Sequence, residues 1–298
     1  MPRLSTLIIA LLAVGARSHC CASQPEPPEL SVAAGTVLLV VAPHPDDETL
    51  CCAGIMQRVL RQGGRVSVTW LTSGDGSALG ALLSGRRPWL DAQRMRAYGA
   101  RRMAEARSAS ARLGVAPAGQ FFLGYPDGGL LSVLGTPATQ AYRSPFTASS
   151  AVPYAQALFP GHSYSAANLE LDFAAVLARV QPTLILAPSP RDAHPDHRAA
   201  GLLALHAVAA HPGPALRLWI VHGGEGWPSP RTLMPGVPLT PPPRGATLQF
   251  RAFALSIAEG DAKLAALRSY ATQLQVMEPF LLAFVRSTEL FAAADGAP

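Results

Sequence analysis

Apolar runs alternate with amphipathic stretches along this chain, in the order strand then helix. Val37–Ala42 (VLLVVA) is a continuous, β-branched apolar run, as expected of a strand covered on both faces. Thr49–Gln62 follows with Leu50, Ala53, Ile55, Met56, Val59 and Leu60 at helical spacing, and Gly63-Gly64 ends it. The alternation recurs as a strand at Val66–Leu71, a helix at Asp91–Leu113 closed by Gly114, and a short strand at Gln120–Leu123. It continues with a helix at Leu169–Val180, a strand at Thr183–Ala187, a helix at Arg198–Ala210 and a strand at Leu216–Val221. A last strand–helix unit places a helix near Ile257–Gln273. The pattern predicts the α/β class: a Rossmann-like three-layer sandwich with a mostly parallel sheet. In such sheets ligands bind beyond the carboxyl ends of the strands, where strand order reverses.

The ends of the chain and one internal stretch break this rhythm. Arg3, the apolar run Leu4–Val14 and the small residues after it outline a signal peptide over 1–22, too short to span a bilayer. That predicts a secreted or periplasmic protein. A lipoprotein attached through Cys20 or Cys21 ranks second, because Arg17-Ser18-His19 is polar and bulky; an uncleaved anchor ranks third. Residues 23–35 read as a Pro-rich linker and 36–298 as a single domain. Within that domain, Pro137, Pro145, Pro153 and Pro160 interrupt 130–165, which predicts an irregular rim or lid segment.

Polar residues gather where the strands end. Pro43-His44-Pro45-Asp46-Asp47-Glu48 supplies one imidazole and three carboxylates directly after the first strand. Buried unpaired, such groups cost several kcal/mol each, so a partner is required. A divalent metal is the most economical one, since His and Asp are good zinc ligands. A polar loop in which Asp46 or Asp47 caps the next helix is the other reading. A second such turn, Asp192-Ala193-His194-Pro195-Asp196-His197, follows the strand at 183–187. If those two strands are neighbours, the turns face each other. Two imidazoles, a carboxylate and an open position make a hydrolytic zinc site, and the turns also offer a spare carboxylate and a spare imidazole.

Other chemistry is disfavoured. Pro43 and Pro45 occupy the place where a dinucleotide fold needs glycines. Ser73 lacks a Gly-x-Ser-x-Gly elbow. The net charge of +5 is spread along 298 residues without a basic block, so no nucleic-acid partner is expected. The four cysteines form two adjacent pairs with no CxxC. Neighbours on a helix point about 100° apart, so Cys51 and Cys52 are expected to be packing residues rather than a disulfide. Arg102 and Glu105 read as an exposed i, i+3 ion pair. His162, His206 and His211 read as unpartnered surface or core histidines.

PHPDDE after a strand, then TSGDG, RRMAEA…LGV…FLGYPDG and DAHPDH, resembles the PIG-L/LmbE-like zinc deacetylases. The resemblance runs from about Val37 to Val208 and continues weakly into 267–273 (LRSYATQ) and 285–291 (VRSTELF). It implies a hydrolase that removes the N-acetyl group from an N-acetylglucosamine-type sugar or glycoconjugate. It implies one Zn2+, replaceable by Fe2+, on His44, Asp47 and His197. Asp46 would then be the general base. His194 would stabilise the oxyanion or act as acid, with Asp196 orienting it; a ligand role for His194 in place of His197 is the alternative. Asp75, Asp127 and His222 sit at strand exits, where they would contact sugar hydroxyls or cap loops. Two other functions compete: a zinc amidase for another acyl-amide conjugate, and a non-catalytic sugar-binding relative. No membrane span is expected in the mature chain, and the oligomeric state stays open. Pro43 stands where the family has alanine, and the leader sets this chain apart from cytoplasmic members.

Overall fold

A computed structural model of the chain describes residues 30–85, 89–137 and 140–294. The signal-peptide expectation, most of the linker and the Cys20-Cys21 pair lie outside the described residues.

The strands are β1 (Val37–Ala42), β2 (Arg65–Thr72), β3 (Gln120–Tyr125), β4 (Leu184–Pro188), β5 (Ala215–Trp219), β6 (Phe250–Ala254) and β7 (Thr288–Ala293). They form one sheet in the order β3-β2-β1-β4-β5-β7-β6. β1 pairs in parallel with β2 (Val37 opposite Arg65) and with β4 (Leu38 opposite Leu184). The chain therefore winds outward in one direction from β1 and in the other from β4, and the switch point lies between them. β7 runs antiparallel to both β5 and β6. Leu38–Ala42 are all inaccessible to solvent, which is why β1 reads as unbroken apolar sequence.

The helices are α1 (Asp47–Arg61), α2 (Ala78–Ser84), α3 (Ala92–Arg112), α4 (Leu130–Leu134), α5 (Ala166–Val180), α6 (Pro195–Ala210), α7 (Ile257–Leu267) and α8 (Ala271–Leu282). α1, α3 and α7 pack together, as do α4, α5 and α6, giving the three layers. Among the described residues no helix is long and apolar enough to cross a membrane.

Several elements depart from the sequence reading. α6 begins at Pro195 rather than Arg198, because proline suits the first helical position and leaves His194 as the N-cap. The final helix is two helices, α7 and α8, with Tyr270 at their junction. The weakly matching 285–291 stretch leads into β7, wedged between β5 and β6. The described residues of 130–165, expected to be an irregular rim or lid, include α4 and a bridge from Ala151 to Ser163 and bury Val152, Tyr154 and Tyr164. Cys51 and Cys52, expected to be unlinked, form a disulfide; their Cα atoms are 3.7 Å apart, so adjacency in the chain overrides the fan of side chains around the helix.

Candidate functional site

Two strand exits build the site. At the end of β1 the chain turns through Pro43–Asp46 into α1, and the Pro43 carbonyl accepts the Thr72 N–H and hydroxyl at the end of β2. Asp46, the N-cap of α1, sits at φ 132°, a conformation that non-glycine residues rarely adopt. At the end of β4 the chain runs through Asp192 and His194 into α6. Because β1 and β4 are neighbours, the two turns converge.

Their donors meet at ligand spacing. Asp47 Oδ2 lies 3.1 Å from His44 Nδ1 and 3.2 Å from His197 Nε2. Ligand atoms around a tetrahedral ion with bonds of about 2.0–2.1 Å are about 3.3 Å apart. Both ring nitrogens of His197 are buried without a hydrogen-bond partner, although each is 3.2 Å from a carboxylate oxygen. At Nε2, close approach to Asp47 without hydrogen-bond direction is what a shared cation would give; His44 Nδ1 and Asp47 Oδ2 are hydrogen-bonded to each other. The remote nitrogens also face carboxylates. His44 Nε2 is 3.1 Å from Asp196 and 3.2 Å from Asp127, and His197 Nδ1 is 3.2 Å from Asp192. Asp196, hydrogen-bonded to His44 Nε2, is placed to fix the tautomer of a metal-bound histidine. These residues therefore suit a divalent metal.

The electrostatics agree. Asp46, Asp47, Asp127, Asp192 and Asp196 are all buried, and the Arg102 guanidinium faces Asp46 and Asp127. Burial opposes a charge on His197, but Asp192 and Asp47 outweigh it and push its pKa to about 10. Burial also opposes the Asp47 charge, yet His197 and His44 hold that carboxyl well below the usual range. The cluster calls for positive charge between these groups, which protons or a divalent cation can supply. Burial drives Asp46 up to about 8 against the pull of Arg102. Burial, reinforced by neighbouring imidazoles, drives His194 down to about 3 and His222 to about 4, so both are neutral near pH 7.

A cavity of about 230 Å³ opens over these groups. His44, Asp46, Asp127, Arg102, His194 and His222 form its polar side; Leu50, Met277 and Phe280 form an apolar side. Asp75 does not line it. It is wholly buried behind Asp127, whose N–H it accepts at 3.2 Å, and Tyr154 and Ser73 donate to its other oxygen. Asp196 does not reach the His194 ring with its carboxylate, which accepts the N–H groups of Gly128 and Leu130. Its backbone N–H instead donates to His194 Nδ1. A nitrogen that accepts cannot carry the proton, so in this arrangement the neutral His194 ring carries its proton on Nε2, although His44, His194 and His197 also place one nitrogen each within reach of a common ion.

Sequence reasoning missed several participants. Arg102, read as exposed, is 3% exposed; it donates to the Pro45 and Gly74 carbonyls and to Asp46 Oδ2 at 3.1 Å. Glu105, its expected partner, instead accepts the Thr272 N–H and hydroxyl. Asp192 gathers the His194, Val221 and His222 N–H groups while facing His197. Gln273 and Phe280 arrive on α8. The only sequence signal was the weak LRSYATQ match at 267–273, which includes Gln273 but ends before Phe280. His162, read as unpartnered, pairs with Asp172 at 2.8 Å, away from the cavity.

A family model described as GlcNAc-PI de-N-acetylase (PIG-L) matches residues 39–208, more than half the chain and inclusive of both turns. The chain belongs to this family. A curated relative from Geodermatophilus obscurus, named 1D-myo-inositol 2-acetamido-2-deoxy-alpha-D-glucopyranoside deacetylase, is 31% identical over 186 residues, 60% of this chain and 55% of its own length. The chain thus spans little more than half the length of the curated relatives it matches. The solved N,N'-diacetylchitobiose deacetylase from Pyrococcus horikoshii is similar with a TM-score of 0.54 and 19% identity, over 87% of this chain and 84% of that one. GalB, the 4-carboxy-2-hydroxymuconate hydratase of Pseudomonas putida, is similar with a TM-score of 0.50 and 20% identity, over 82% of each chain. At these identities the structural likeness shows the fold alone. PIG-L membership rests on the family match, and the reaction must be argued from the site.

Proposed function

We propose that this PIG-L family protein is a zinc-dependent hydrolase that removes the N-acetyl group from an N-acetylglucosamine-type sugar or glycoconjugate. One observation carries the reading: Asp47 Oδ2 lies at ligand spacing from both His44 Nδ1 (3.1 Å) and His197 Nε2 (3.2 Å), beneath a cavity that also holds Asp46 and His194. The naming of the relatives as sugar deacetylases supports the substrate class.

A bound zinc ion supplies Lewis-acid polarisation of the amide carbonyl and lowers the pKa of a water to about 7. Asp46 is held by Arg102, and with a cation bound beside it, which would draw its raised pKa down, it accepts the proton of the attacking water as that oxygen adds to the carbonyl carbon. His194 Nε2–H donates to the oxygen that becomes the oxyanion. The C–N bond then breaks, and Asp46 returns its proton to the departing amine, leaving a free amino sugar and acetic acid, which ionises to acetate in water. The apolar leader at 4–14 supports a secreted or periplasmic location.

The test is release of free amine from a panel of N-acetylated glycans and peptidoglycan fragments, alongside the zinc content of wild type and His44→Ala. Amine release by the wild type, with loss of both zinc and activity in the variant, is expected. Cleavage of other acyl amides alone would reassign the protein as an amidase. Full metal occupancy in His44→Ala would overturn the ligand set.

A further inference from the structure

Glu48 is the third carboxylate of the first turn, and the mechanism above does not use it. It is completely buried and turns away from the cavity, whose wall on this side is Asp46 and Asp47. Four donors converge on it. Oε2 accepts the backbone N–H of Asp46 at 3.2 Å and the Trp70 indole N–H at 2.9 Å. Oε1 accepts the hydroxyls of Thr49 and Tyr270. Four donors around one carboxyl group satisfy both of its oxygens as acceptors.

The residue so gripped is under strain. Asp46 holds φ 132°, ψ −31°, and backbone in such regions persists only when the surroundings over-determine it. Two groups do so from opposite sides. Glu48 takes the Asp46 N–H from below, while Arg102 Nη2 bridges the Pro45 carbonyl and Asp46 Oδ2 from the cavity side. Trp70 on β2 and Tyr270 at the α7–α8 junction hold Glu48 in turn.

We propose that Glu48 is a positioning residue whose carboxylate clamps the Asp46 backbone and so aims the Asp46 carboxylate into the cavity. It touches no substrate and acts through Asp46; the inference rests on Asp46 being the base. Glutamine can keep the clamp, because its one carbonyl oxygen can accept both N–H groups while its amide donates to the two hydroxyls, which can reverse their protons. A hydrocarbon side chain cannot.

The experiment compares Glu48→Gln and Glu48→Met in wild-type and Asp46→Asn backgrounds, reading kcat, KM, zinc content and the crystallographic φ of Asp46. Glu48→Met is expected to lower kcat about 10–10²-fold, the scale of a misplacement near 1 Å, with KM and zinc unchanged. Glu48→Gln should stay within about threefold of wild type. In the Asp46→Asn background Glu48→Met should cost less than about twofold more, because the group it positions is already disabled. If Glu48→Met does not fold, Trp70→Phe and Tyr270→Phe each remove one support and should show the same dependence on Asp46 with a loss of about 2–10-fold. Equal losses in both backgrounds, a loss in KM or zinc alone, or full kcat in a folded Glu48→Met protein would overturn the clamp. If Asp46→Asn itself keeps the wild-type rate, the base assignment fails, and the clamp is judged by structure. An Asp46 φ that stays near 132° in Glu48→Met then overturns it, and a relaxed φ sustains it.

Discussion

Nδ1 of His194 accepts the backbone N–H of Asp196 at 3.2 Å, two residues further on. This N-cap bond turns the ring so that its other nitrogen carries the proton into the cavity, and burial keeps the ring neutral. His194→Ala should therefore lower kcat by about 10²–10³-fold, the worth of a preorganised oxyanion donor, while zinc content stays intact. His197→Ala should lose the metal. Metal analysis of the two variants side by side checks both statements; the opposite pattern would exchange their roles.

Asp46→Asn keeps the shape of the side chain and its reach to Arg102 but cannot take up a proton. Metal retention with a rate loss of about 10²–10⁴-fold is expected. A near-normal rate would move the base elsewhere in the cavity.

Asp192 stands 3.2 Å from the remote nitrogen of His197, and it also ties down the backbone at 194, 221 and 222. Asp192→Asn should weaken metal affinity by about 10–100-fold, as removal of such supporting carboxylates does. Asp75→Asn should leave affinity unchanged, because Asp75 touches none of the ligand rings. Competition with a chelator measures both, and equal affinities for wild type and Asp192→Asn would refute the role.

Glu259 gives a pH prediction away from the site. Burial opposes its charge, but Arg58, the Ser256 N–H and Arg61 overcome that and hold its pKa at about 2, against an ordinary 4.5. A folded-state pKa below the unfolded one stabilises fully above about pH 4.5, and the contribution fades as pH falls toward 2. Arg58 and Arg61 are 30% and 51% exposed, so screening reduces the effect to about 1–2 kcal/mol. The gap in thermal midpoint between wild type and Glu259→Gln should be open at pH 7 and narrow between pH 4.5 and 2. A gap independent of pH would contradict it.

What the sequence determined by itself was the alternation of strand and helix and the two polar turns. Each is written in contiguous residues: VLLVVA must be buried on both faces, and PHPDDE and HPDH carry their donors within one turn of chain. Tertiary structure alone decided what those donors face. Arg102 and Asp46 are 56 residues apart, and only the packing of α3 beside the end of β1 joins them. Asp196 meets Gly128 and Leu130 across 68 and 66 residues, which is why its expected bond to the neighbouring His194 ring is not made. Tyr270 reaches Glu48 across 222 residues. Backbone periodicity is local, because each residue's φ and ψ respond to near neighbours. A buried polar group takes whichever donor the strand order delivers, and no window of sequence contains that order.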